Sequence, residues 1–380
     1  MLPRFYWNKG DVHAVAVRLI AGLQAWQDFG RSVAGTLLIE VLAWAAALGW
    51  SVSRAAQWMS GVSDESVRQA LRANLPSLDL LRSEVGDALR ASLPRRLRRK
   101  PVTIAIDYHK RPYYGDAAAT PGVRGGKEQA STRWFWTYAS AAILTRGERF
   151  TVALEPVFHR EPMEVVLERL WQQMAGIPLK IKRLLLDREF CAADAILWLQ
   201  RKNVPFILPL IRRGRFGRTR DHDQGNARFF RRGSDGIFTY EWQPRSSSRT
   251  RERIKTHVAC VPRGRRRPLV YLISQPNWSL RWIQRMYETR FGIETTYRQL
   301  GQALAQTTTR DPCWRFLLVA IALLLRNVWV LCQRLAWQRE SITFQSVLQW
   351  ISQSILAQGS QTQDGFYARQ PPATTIAALL

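Results

Sequence analysis

A chain of 380 residues, 46% of them hydrophobic, can bury one large core and carry smaller appendages. Its 56 Lys and Arg against 29 Asp and Glu give a formal net charge of +27, beyond what solubility needs, so a polyanion is the expected partner. The four cysteines, Cys191, Cys260, Cys313 and Cys332, lie far apart with no C-x-x-C pair, which argues against a zinc site and a disulfide framework.

Residues 1–93 read as helical. The segment 37–48 is rich in Ala and Leu, and Gly49 offers a stop. A short helix follows over 53–60, then Gly61-Val62, then a second over 63–72. Ser63 suits an N-cap, with Asp64 and Glu65 in the first turn. Val67, Ala70 and Leu71 form its apolar face, leaving Arg68, Gln69 and Arg72 off that stripe. Two short helices around a glycine turn are the helix-turn-helix pattern, although any αα-hairpin produces it. With the charge, it marks an α-helical DNA-binding region, with Arg68 and Arg72 as DNA contacts. A basic linker, 94–101, has a proline at each end and five basic residues among the six from 95 to 100.

From 101 the texture becomes α/β. Strands are expected at 102–107, 134–144 and 149–157, with a turn at Arg146-Gly147, and a helix at 162–174 with Met163, Val166, Leu167, Leu170 and Met174 at helical spacing. A strand at 181–187, a helix at 192–201 and a strand at 204–210 complete the first part of a core, 102–210. The order β-β-β-α-β-α-β implies a mixed sheet covered by helices. It is the order of a ribonuclease-H-like fold, in which the first and fourth strands are neighbours. A basic, β-rich insertion follows at 211–278, with strand-like pieces at 236–242, 255–261 and 269–274. Core helices return over 279–357, opened by Ser279, and 358–380 is expected to be a loose tail. Within those helices, 316–325 is an apolar run broken by Arg326 and Asn327, which suits a buried helix better than a membrane span. No signal-peptide pattern opens the chain, so a cytoplasmic, nucleoid-associated protein is expected.

Three acids stand out. Asp107 closes the apolar run of the first strand, Asp187 closes that of the fourth, and Glu294 lies in the helical pattern Tyr287-x-x-Arg290-x-x-x-Glu294. On a continuous helix Tyr287, Arg290, Glu294 and Arg298 fall on one stripe. Carboxylates suit divalent metal and guanidinium forks suit phosphate oxygens, so a metal-dependent phosphodiester site is expected, with Tyr287, Arg290 and Arg298 on DNA. A surface helix with i, i+4 Arg/Glu pairs would show the same local spacing. Asp116 and Glu189 are weaker candidates for the acidic positions.

These segments resemble the DDE transposases of prokaryotic insertion sequences. The nearest group carries Tyr-x2-Arg-x3-Glu-x6-Lys around its last acid; Tyr287, Arg290 and Glu294 match, and Gly301 stands at the lysine position. The runs Ile106-Asp107-Tyr108-His109-Lys110 and Leu186-Asp187-Arg188-Glu189-Phe190 also look like that family. The resemblance implies Asp107, Asp187 and Glu294 as catalytic residues and ligands of two Mg²⁺ ions, with Mn²⁺ able to substitute and Asp107 bridging the pair. It further implies binding of double-stranded DNA at terminal inverted repeats, end cleavage and strand transfer into target DNA, by a homo-oligomer, in the simplest case a dimer. Another metal-dependent nuclease of the same fold, or a decayed DNA-binding regulator, remain alternatives.

Overall fold

The computed structural model describes residues 9–59, 61–145, 147–244, 250–335 and 342–359. The described N-terminal helices are α1 (Lys9–Ala21), α2 (Gly35–Leu48), α3 (Val52–Met59), α4 (Asp64–Asn74) and α5 (Leu78–Ala91). Gly49 ends α2 in the left-handed region (φ 63°), its N–H donating to Ala46 O and that of Trp50 to Ala45 O. Ser63 caps α4 by accepting from Ser66 N. The basic linker winds into a 3-10 turn, Arg95–Arg99.

Then come β1 (Pro101–Tyr113), β2 (Val123–Gln129), β3 (Thr132–Leu144), β4 (Arg149–Pro156), α6 (Met163–Ala175), β5 (Lys180–Leu186), α7 (Ala193–Arg201), β6 (Phe206–Pro209), β7 (Gly236–Trp242), β8 (Ile254–Arg263) and β9 (Arg266–Ile273). The C-terminal helices are α8 (Leu280–Glu288), α9 (Gly292–Leu300), α10 (Pro312–Leu335) and α11 (Phe344–Gly359).

Among the described residues nine strands join one mixed sheet in the order β2-β3-β1-β5-β6-β9-β8-β7, with β4 beside β2 on the outer edge of β3. β1 runs antiparallel to β3 and parallel to β5, with Ile106 opposite Leu186. The strands β4-β3-β1-β5-β6, with α6 and α7 as crossovers, are the expected ribonuclease-H-like core. Two features differ from the sequence expectation. β2 is an extra strand, formed by pairing with the aromatic end of β3 although its own Gly125-Gly126 favours no strand. The insertion strands extend the main sheet, because β9 pairs antiparallel with β6.

The expected division at residue 93 meets a shared core. Leu38, Leu42, Val67 and Leu81 of the N-terminal helices pack in one cluster with Phe316, Leu324 and Val347 of α10 and α11 and with Trp136 of β3. Both α2 and α10 are apolar nearly all round, and each is buried on all sides. Helix α10 is long and apolar enough to cross a membrane, yet 89% of that stretch is buried inside the fold. Asn327 ties it to the sheet. The β3–β4 register shifts where Val152 is the extra residue, and Asn327 accepts from Thr151 N (3.0 Å) and donates to Thr151 O (2.8 Å) and Ser92 Oγ (2.8 Å). The expected loose tail lies almost wholly outside the described residues, as does Arg146 of the expected turn.

Candidate active site

Asp107 sits in the middle of β1, a correction to its expected place at a strand end. The strand continues through His109, Lys110 and Arg111 because each pairs with β3, opposite Tyr138, Thr137 and Trp136. On its other edge β1 loses its partner after Ile106, since β5 stops at Leu186. Asp187 stands at that gap, its N–H donating to Ile106 O at 3.1 Å. Its own Oδ2 accepts from Glu189 N at 3.2 Å, capping the 3-10 turn Arg188–Phe190. The two aspartates are therefore side by side, as the strand order predicts.

The third acid reaches the site from the helical layer. Helices α8 and α9 are joined by a 3-10 turn, Thr289–Phe291, instead of running on as one α-helix. The tighter winding breaks the expected stripe and rolls Arg290 inward. Arg290 is 5% exposed and touches all three acids. Its Nη1 donates to Asp107 Oδ2 at 2.7 Å, and its Nη2 lies 3.5 Å from Asp187 Oδ1 and 3.3 Å from Glu294 Oε1. The side chain of Glu294 is the open one of the three, about half-exposed, against a nearly buried Asp107.

Tyr297, on α9, holds this arrangement. Its hydroxyl donates to Asp107 O (3.0 Å) and pairs with Ser140 Oγ (2.9 Å), and its ring stacks on His109 at 4.9 Å. Sequence reasoning missed Tyr297 and Ser140; the one available signal was that Tyr297 follows Glu294 by three residues, on the same helical face. Tyr287 is buried, its ring under the Arg290 guanidinium and its hydroxyl donating to Leu186 O at 3.2 Å. That corrects its expected DNA contact: the residue anchors the backbone just before Asp187.

Of the other expected contacts, Arg298 is exposed on the last turn of α9 with no partner among the described residues, so the i, i+4 pair with Glu294 does not form. Arg72 is exposed on α4, and Arg68 beside it pairs with Glu65. The weaker acid candidates are engaged elsewhere. Asp116 accepts from Ala118 N in its own loop, and Glu189 pairs with Lys110.

Burial pushes the Asp107 carboxyl up to about 7; Arg290 opposes this, and Asp187 and Glu294 add to it. Burial, aided by Arg111, lowers the neighbouring His109 to about 4. Three carboxylates facing one guanidinium leave the cluster short of positive charge. An all-oxygen donor set of this kind fits a hard divalent cation. Among the described residues no group of three such side chains is arranged to hold a metal ion as it stands; here the Arg290 guanidinium contacts all three acids.

The ribonuclease-H-like sheet brings an aspartate within β1, another just after β5 and a helix-borne glutamate to one gap. Residues 121–326, more than half of the chain, match the family described as Transposase DDE domain. The chain belongs to that family and is a DNA transposase, an enzyme of DNA cleavage and strand transfer. The match contains Asp187 and Glu294 and begins after Asp107. Among solved structures, the fold is similar to a piggyBac transposase seen by cryo-EM in a synaptic complex with hairpin DNA. That likeness has a TM-score of 0.59 at 9% identity, over 98% of this chain and 84% of the other. No curated protein matches the chain.

Proposed function

We propose that Asp107, Asp187 and Glu294 are the catalytic acids of a transposase acting on the terminal inverted repeats of a prokaryotic insertion sequence. One observation carries this: the three acids, from β1, the end of β5 and α9, all touch a single guanidinium. Their side chains would hold two Mg²⁺ ions, with Mn²⁺ able to substitute. When bound, such ions activate the attacking oxygen and stabilise the leaving one.

The chain's own residues supply the rest. Tyr297 and Tyr287 fix the backbone on either side of the acids, so the donor positions are set by buried groups. Arg298, exposed one helical turn beyond Glu294, would bind a DNA phosphate near the site, a contact that Gly301, standing at the family's lysine position, has no side chain to make. The α3–α4 pair, with Arg68 and Arg72 on α4, is the proposed reader of the terminal repeat. Synapsis of two ends calls for a homo-oligomer, in the simplest case a dimer, working on the nucleoid in the cytoplasm.

The test is a set of variants: Asp107→Ala, Asp187→Ala and Glu294→Ala. Each should bind the element's end in a gel shift and fail to cleave it in Mg²⁺. Full cleavage by any one variant removes that residue from the site.

A further inference from the structure

We propose that Arg290 is a resident cation that keeps the carboxylates apart and excludes metal until a DNA phosphate draws it out, so that metal and DNA load the site together. The inference rests on reading the three acids as metal ligands.

The geometry carries it in three ways. First, Nη2 lies between the outer acids, 3.5 Å from Asp187 Oδ1 and 3.3 Å from Glu294 Oε1. Two oxygens on one Mg²⁺ at about 2.1 Å each can be no more than about 4.2 Å apart. Nη2 is shared by two oxygens that such an ion would have to bring together, and among the described residues no group of three acids is arranged to hold a metal as it stands. Second, both oxygens of Asp107 already have donors, Oδ1 from Tyr108 N at 2.8 Å and Oδ2 from Arg290 at 2.7 Å. The guanidinium is 5% exposed, and a cation entering beside it would meet like charge with little water to screen it.

Third, Arg290 has somewhere else to go. Its Nε is buried with no partner among the described residues, so its present seat leaves one donor unsatisfied. Its guanidinium lies 5.5 Å from the ring of Phe291, a half-exposed side chain on the solvent side of the same turn. Rotating outward along that ring would carry the fork towards a phosphate, which accepts two of its N–H groups. Coupling of this kind is reciprocal: DNA raises the affinity for metal, and metal raises the affinity for DNA by the same factor.

The test measures Mn²⁺ binding to the full-length protein by the electron paramagnetic resonance of the free ion, at about pH 8, where carboxylates are ionised. Wild type should bind Mn²⁺ weakly alone and on the order of tenfold more tightly with a short duplex, after subtracting the duplex's own binding. Without DNA, Arg290→Gln should bind on the order of tenfold more tightly than wild type, and Arg290→Lys, which keeps the cation, should return towards wild type. No gain on adding duplex to wild type overturns the proposal, and that arm needs no variant to fold. Equal or weaker binding by a folded Arg290→Gln also overturns it. Adding Asp107→Asn to Arg290→Gln should remove the gained binding. If it does not, the ion is bound elsewhere, and the metal-site reading itself fails.

Discussion

Replacing Asp107 with Asn should make the metal-free protein's stability less sensitive to alkaline pH while abolishing DNA cutting. Asp107 is 7% exposed, and burial raises its carboxyl to about 7 against Arg290, with Asp187 and Glu294 adding to the rise. In the unfolded chain the same group ionises near about 3.9. Between those values the folded protein holds the extra proton. The group's contribution to stability is therefore complete below about pH 4 and is lost as the pH rises through about 7. A displacement of about 3 pH units corresponds to about 4 kcal/mol at full size. Asn is nearly isosteric and cannot ionise, but its one acceptor oxygen can serve Arg290 or Tyr108 N and not both, a pH-independent cost that offsets part of the gain. The stability difference between variant and wild type should thus shift in the variant's favour by about 2–4 kcal/mol from about pH 5 to about pH 8. Glu155, also raised by burial, is common to both proteins and cancels in the difference. Urea unfolding in a chelator across that range measures it, and a wild-type-to-variant difference that stays flat with pH refutes the reasoning.

Three further outcomes follow from particular contacts. Asn327→Ala strands the N–H and C=O of Thr151, while Ser92 Oγ keeps its own bond to Leu89 O, and should cost about 3 kcal/mol in denaturant unfolding. Glu155→Ala removes the buried partner of Arg82 on α5 and Arg169 on α6, and should cost about 3 kcal/mol. By contrast, Asp79→Ala, at the exposed end of the same network, should cost no more than about 1 kcal/mol. In the full chain, Arg68→Ala and Arg72→Ala should each lower the salt slope of DNA binding by about one, measured by fluorescence anisotropy over a salt series.

Much of the sheet was legible because its strands are apolar runs between turn residues, and their order alone placed Asp107 beside Asp187. The length of β1 was not: His109, Lys110 and Arg111 read as a polar loop, and only antiparallel pairing with β3 holds them extended. β2 was hidden for a related reason: its glycines and charges are overridden by pairing with the next strand, β3, across a two-residue turn, Ala130-Ser131, whose positive φ values no turn residue in the sequence announces. The acids of the site could be found, but their counter-ion could not. A regular helix predicts where Arg290 would point, and the 3-10 turn Thr289–Phe291 changes it. The apolar surfaces of α2 and α10 did carry a signal that the N-terminal helices share a core with the C-terminal ones. An all-round apolar helix must be covered on every side.

The most direct measurement is strand transfer. A labelled duplex ending in the DNA that borders the gene is incubated with the purified protein, a plasmid target and Mg²⁺, and joined product is followed on a denaturing gel. The expected result is joining that requires Mg²⁺, stops with chelator and is lost in Asp107→Ala, Asp187→Ala and Glu294→Ala alike. Cutting without joining by the wild type, or joining that survives the loss of any of these acids, would contradict a three-carboxylate transposition site.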